Sequence, residues 1–108
     1  MSWRLERLNE VIRRELGTIV AREVDMKRVF ITFTRITVSS DIHYADLYFV
    51  TVPDDAGGKA LKQLNQNIFS IQQSLNKRLH MRPVPKIRFH IDSEEKEAAK
   101  IDRAIESL

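Results

Sequence analysis

Between Asn76 and His90 the chain carries five cations, Lys77, Arg78, Arg82, Lys86 and Arg88, together with two histidines and no acid. Phosphate recognition needs repeated cationic donors, and arginine adds bidentate geometry and stacking. This segment is the foremost candidate for an RNA-facing surface. A basic face that is merely solvated is the competing reading, and it leaves the missing acids unexplained. The enrichment is local. The whole chain has a net charge of only +3, and Asp92 to Leu108 holds six acids against three bases. A second cationic set, Arg4, Arg7, Arg13, Arg14 and Arg22, lies near the N-terminus among Glu6, Glu10 and Glu15. Pairing along a helix would give these arginines a structural role as readily as a binding one.

Other chemistry is scarce. His43 stands between Asp41 and Asp46, but strand alternation turns it away from Asp46, and no further local ligand completes a metal site. There is no cysteine, which excludes disulfides, thiol catalysis and thiolate-bound zinc. No glycine-rich phosphate loop, serine elbow or pair of catalytic carboxylates is present. We therefore expect no enzyme activity, no cofactor and no small-molecule substrate. Tyr44 and Tyr48 could stack on bases or simply cover a sheet, and Trp3 could stack or start a helix. His80 and His90 flank the basic segment and would add charge at mild acidity.

The elements that must position these groups can be read from periodicity. With 108 residues, 43% hydrophobic and 31% charged, the chain is long enough for one modest core. The N-terminus lacks an apolar signal-type region, and no run of 18 apolar residues occurs, so a cytoplasmic protein without a membrane span is expected. Ser2 to Glu23 is predicted to be a helix with the stripe Leu5, Leu8, Ile12, Leu16, Ile19 and Val20, weakened at Gly17 by about 1 kcal/mol. "VFITFTRITV" (29–38) reads as a strand whose apolar phase changes sides, which a bulge near Arg35 would reconcile. Ser39-Ser40-Asp41 closes a hairpin to a second strand, Tyr44 to Val52. Asp46 would be costly against a core, so Ala45, Leu47 and Phe49 should point inward.

After the loop at 53–58, Leu61, Leu64, Ile68, Ile71, Leu75 and Leu79 mark a long helix or two in series. "RPVP" (82–85) ends it, and "KIRFHI" (86–91) alternates as a strand with Ile87, Phe89 and Ile91 inward. Ala98, Ile101, Ile105 and Leu108 predict a short helix in a tail over 93–108. The order α-β-β-α(α)-β over 1–92 makes an α+β, two-layer sandwich, with helices on one face of a three-stranded sheet and the other face open. That open face, or the apolar tail, supports a rival reading as a protein–protein adaptor.

Four segments, "RLERLNEVIRRELGTIVAREV", "VSSDIHYADLYFV", "LNKRLHMRPVPKIRFHID" and "AAKIDRAIESL", occur in an order that resembles the ribosome-binding factor A family. The resemblance runs from Arg4 to Leu108. It implies a type II KH-like fold and a non-catalytic factor. Such a factor binds the immature 30S small ribosomal subunit and its 16S rRNA late in maturation and rRNA processing. Separately, the chain is expected to act as a monomer. Its RNA contacts would fall on Lys77, Arg78, Arg82, Lys86 and Arg88, with Arg4, Arg7 and Arg14 on the flank of the first helix. The family kinks its long helix at an Ala-x-Gly motif, where this chain has Asn67-Ile68-Phe69. Without those small residues, and with an unbroken apolar stripe, a straighter helix is expected here.

Overall fold

The structure is a computed structural model that describes residues 3–93. Helix α1 spans Trp3–Glu23 and buries Ile12, Leu16, Ile19 and Val20, while Arg4, Arg7, Arg14 and Arg22 stay on the outer side. Gly17 falls on that outer side too, so the stripe on either side of it carries the helix through a poor helix former.

Strand β1 (Phe30–Val38) and strand β2 (Tyr44–Val52) form an antiparallel hairpin. Phe33 pairs with Phe49 and Arg35 with Tyr48, so Thr34 is the extra residue of a bulge. The bulge returns Ile31, Phe33, Ile36 and Val38 to one face, which resolves the conflict of phase in the sequence. Ala45, Leu47 and Phe49 on β2 are fully buried. Phe33 meets Phe49 edge-on at 6.5 Å and stacks on Phe89 at 6.0 Å, joining all three strands beneath the helices.

A 3-10 turn at Asp54–Ala56 leads into α2 (Gly57–Gln66), then α3 (Ile68–Arg78) and β3 (Lys86–Ile91), which pairs parallel to β2. The sheet order is β1-β2-β3, with β2 in the centre. This is the two-layer α+β sandwich expected, in type II KH-like order. Ile87 and Phe89 are buried as expected, but Ile91 is only half-buried, at the end of the strand beside Gly57. The expected tail helix, and Ser2 at the expected start of α1, lie outside the described residues.

The expectation of a straighter helix fails. The helical region is not continuous: it breaks at Asn67, whose backbone sits at φ −104°, ψ 10°. The Asn67 N–H reaches the carbonyl oxygens of both Gln63 and Leu64 at 3.2 Å, and its side-chain amide donates to Gln63 O at 2.8 Å. Its own carbonyl accepts from Ile71 N at 2.9 Å, which starts α3. Asparagine stabilises the break by supplying its own hydrogen bond, so small residues are not required. The apolar stripe survives because Leu64 and Ile71 stay fully buried on either side, with Ile68 packed against the core between them.

Candidate nucleic-acid interface

Gln72 on α3 fastens the 82–85 segment in place. Its Nε2 donates to Pro85 O at 3.0 Å, and its Oε1 accepts from Ile87 N at 2.9 Å. The end of α3 and the start of β3 thereby enclose a surface cleft of about 570 Å³, into whose lining Lys77, Arg82 and Lys86 converge. All three side chains are exposed. Arg82 folds back, its Nη1 donating to Met81 O at 2.7 Å and approaching Asn76 O at 3.4 Å, which fixes its guanidinium at the cleft rim.

The structure separates the other two members of the basic segment from this cleft. Arg78 turns under α1, its Nη1 2.9 Å from Glu15 Oε2 with both side chains partly buried, and so ties α3 to α1. Arg88 lies on the open sheet face and donates to both carboxylate oxygens of Asp46, Nε to Oδ1 at 2.7 Å and Nη2 to Oδ2 at 2.9 Å, with its guanidinium 4.2 Å from the Tyr44 ring centroid. His90 Nε2 reaches the same Asp46 Oδ1 at 2.7 Å. Chiefly through the Arg88 hydrogen bonds, and then through His90, the Asp46 carboxyl is held below the usual carboxylate range. Tyr48 lies between Arg35, 3.8 Å from its centroid, and the His90 ring, stacked at 5.0 Å. Both tyrosines are thus partnered within the sheet face, and neither offers two open ring faces to a base.

On α1, Arg4 and Arg7 border a shallow cleft of about 310 Å³ together with Leu79, His80 and Met81, so they adjoin the basic segment. Arg14 does not join them. With Arg13 and Arg22 it borders a separate groove of about 730 Å³ between α1 and Ile31 and Phe33 of β1. Arg13 also pairs with Glu10 one turn away, as helical spacing allows.

Two anchors escape sequence reasoning. Glu23 accepts hydrogen bonds from Ser70 Oγ at 2.5 Å and Ser74 Oγ at 2.6 Å, which hold its carboxyl below the usual range, Ser70 foremost. This fastens the end of α1 to α3, and nothing in the sequence links residues so far apart. In the hairpin turn, Ser39 Oγ accepts from the N–H groups of His43 (3.1 Å) and Tyr44 (3.0 Å) and donates to Asp41 Oδ1 at 2.7 Å. This network holds Ile42 at φ 62°, a costly conformation for a β-branched residue, with its side chain packed against the core. His43 contacts Asp41 at 3.0 Å, within its own turn, and Asp46 belongs to the sheet face instead.

Fold and surface together define a small KH-like α+β domain in which three exposed cations, Lys77, Arg82 and Lys86, meet at the junction of a helix and a strand. The chain belongs to the ribosome-binding factor A family, whose sequence profile matches residues 4–105. Among relatives, the ribosome-binding factor A of Psychrobacter sp. (strain PRwf-1) is 37% identical over 103 residues, spanning 85% of this chain and 73% of that protein. Among solved structures, a Thermotoga maritima protein determined in solution superposes with a TM-score of 0.71 at 26% identity, covering 83% of this chain and 88% of that one. A homology model of the Thermus thermophilus ribosome-binding factor A, as fitted into the cryo-EM map of a 30S complex, gives a TM-score of 0.67 at 22% identity. It covers 78% of this chain and 90% of that one. No described helix is long and apolar enough to cross a membrane.

Proposed function

We propose that this protein is a non-enzymatic, cytoplasmic assembly factor that docks as a monomer on the immature small ribosomal subunit. Its contact is with 16S rRNA, during late maturation and rRNA processing. The observation that carries this reading is the convergence of Lys77, Arg82 and Lys86 on one exposed cleft, with Arg4 and Arg7 beside His80 next to it. Compact, exposed cations suit phosphate contacts, whereas Arg78 and Arg88 serve the fold through Glu15 and Asp46. Family membership and the 30S complex of the Thermus relative support the choice of partner.

Sedimentation through gradients with purified small and large subunits tests it. Binding is expected to the small subunit alone and to weaken with salt, and reversal of Lys77, Arg82 and Lys86 to glutamate should abolish it. One observation favours the adaptor reading: the cross-strand pair Phe30 and Val52 is 72% and 63% exposed. Binding that survives nuclease and high salt would favour an adaptor docking through the open sheet face or the apolar tail over the cleft.

A further inference from the structure

Phe69 is 75% exposed at the first turn of α3, immediately after the break at Asn67. Single exposed apolar residues are common on protein surfaces, so exposure alone says little. Its place on the helix says more. Residues three, four, seven and eight positions along a helix share one face, and from Phe69 these are Gln72, Gln73, Asn76 and Lys77. All four line the basic cleft. Phe69 therefore heads the row of α3 that ends at Lys77, roughly 12 Å away at 1.5 Å per residue. That is the length of three to four stacked nucleotides at roughly 3.4 Å each.

We infer that Phe69 and this face of α3 form a track for an unpaired RNA strand. One base stacks on the Phe69 ring, and Lys77, Arg82 and Lys86 take the phosphates that follow. The charge of the cleft fits a polyanion, and the single aromatic at its head fits the π-face that every base offers. The amides of Gln73 and Asn76 lie between the two and supply donors and acceptors to sugars or base edges. A paired helix would bury its bases from Phe69, so the track selects single-stranded segments. The inference rests on the RNA-docking reading and deepens it, since it names the class of RNA and the side chain that reads it.

The test uses an unstructured ribo-oligonucleotide of about eight nucleotides with one 2-aminopurine, whose fluorescence reports stacking. Wild-type protein should bind and quench it. Phe69→Ala should weaken binding on the order of tenfold and abolish the quenching, with the salt dependence unchanged. Phe69→Trp should retain both, and Phe69→Leu should behave like Phe69→Ala. The ring is exposed, so the melting temperature should not move in any variant. Wild-type affinity in Phe69→Ala, or in Phe69→Leu, would overturn the track, as would failure of the wild type to bind the oligonucleotide. These failures are distinguishable from failure of RNA docking itself, in which small-subunit binding also ignores charge reversal at Lys77, Arg82 and Lys86.

Discussion

The side-chain amide of Asn67 donates to the carbonyl oxygen of Gln63 at 2.8 Å, at the one residue that separates α2 from α3. The same asparagine accepts from Ile71 N at 2.9 Å through its backbone carbonyl. One residue thus closes the first helix and opens the second, and the direction of α3, which carries the basic cleft, depends on it. Asn67→Ala removes the side-chain bond while leaving the backbone conformation accessible. A loss of about 0.5–1.5 kcal/mol in urea unfolding is expected, and wild-type stability would show that the bond is idle.

The hairpin turn depends in the same way on Ser39, whose hydroxyl accepts from two backbone N–H groups. In Ser39→Ala the Tyr44 N–H loses that acceptor while the His43 N–H keeps Asp41 Oδ1 at 3.1 Å, and Ile42 remains in the left-handed region. Destabilisation of about 0.5–1.5 kcal/mol is expected, the ordinary net contribution of a hydrogen bond, because the turn is exposed and water can reach the freed donor. Ser39→Thr, which keeps the oxygen, should recover most of it.

Burial sets the largest single effect. Phe89 is nearly inaccessible and stacks on Phe33 beneath the helices. Phe89→Ala should cost about 3–5 kcal/mol, a large share of the stability of a domain this size. A cost below about 1 kcal/mol in chemical denaturation would contradict the packing described.

Asp46 supplies a pH dependence whose sign can be worked out. Its folded carboxyl is held below the usual range by Arg88 and then His90, so its contribution is present above the unfolded value near 4. That contribution is lost as pH falls through the depressed folded value. Wild type should therefore exceed Asp46→Asn in stability most clearly at about pH 7, and the gap should narrow as pH falls below the unfolded value near 4. A gap that widens on acidification would place the carboxylate elsewhere.

Much of this fold was legible in the sequence, for identifiable reasons. Asp46 on β2 cannot face a core cheaply, which set the inward phase of Ala45, Leu47 and Phe49, all fully buried. The clash of phase between Phe33 and Ile36 announced the bulge at Thr34. The break at Asn67 was not legible, because Leu64 and Ile71 keep their phase across it and an apolar stripe records phase alone. The candidate site was only half legible. Charge density marked the segment from Asn76 to His90, yet Arg78 finds Glu15 63 residues away and Arg88 finds Asp46 42 residues away. Those pairings depend on how α3 crosses α1 and on the parallel register of β2 and β3, neither of which is written in local spacing.

This division of the cations changes how docking must be tested. Reversal of Arg78 or Arg88 would break an internal ion pair, so any lost binding could be a lost fold. Reversal of Lys77, Arg82 and Lys86 touches the cleft alone.

Small-subunit affinity as a function of salt, for wild type and for this triple variant, is the most direct measurement of whether the cleft docks on RNA. With about three phosphate contacts and a slope near −0.7 for each on unpaired RNA, wild-type affinity should fall about twentyfold between ~50 and ~200 mM salt. The triple variant, folded and melting as the wild type does, should show no measurable binding at either salt concentration. A wild-type affinity that is flat across that range, or a triple variant with wild-type affinity and slope, would contradict electrostatic docking through Lys77, Arg82 and Lys86.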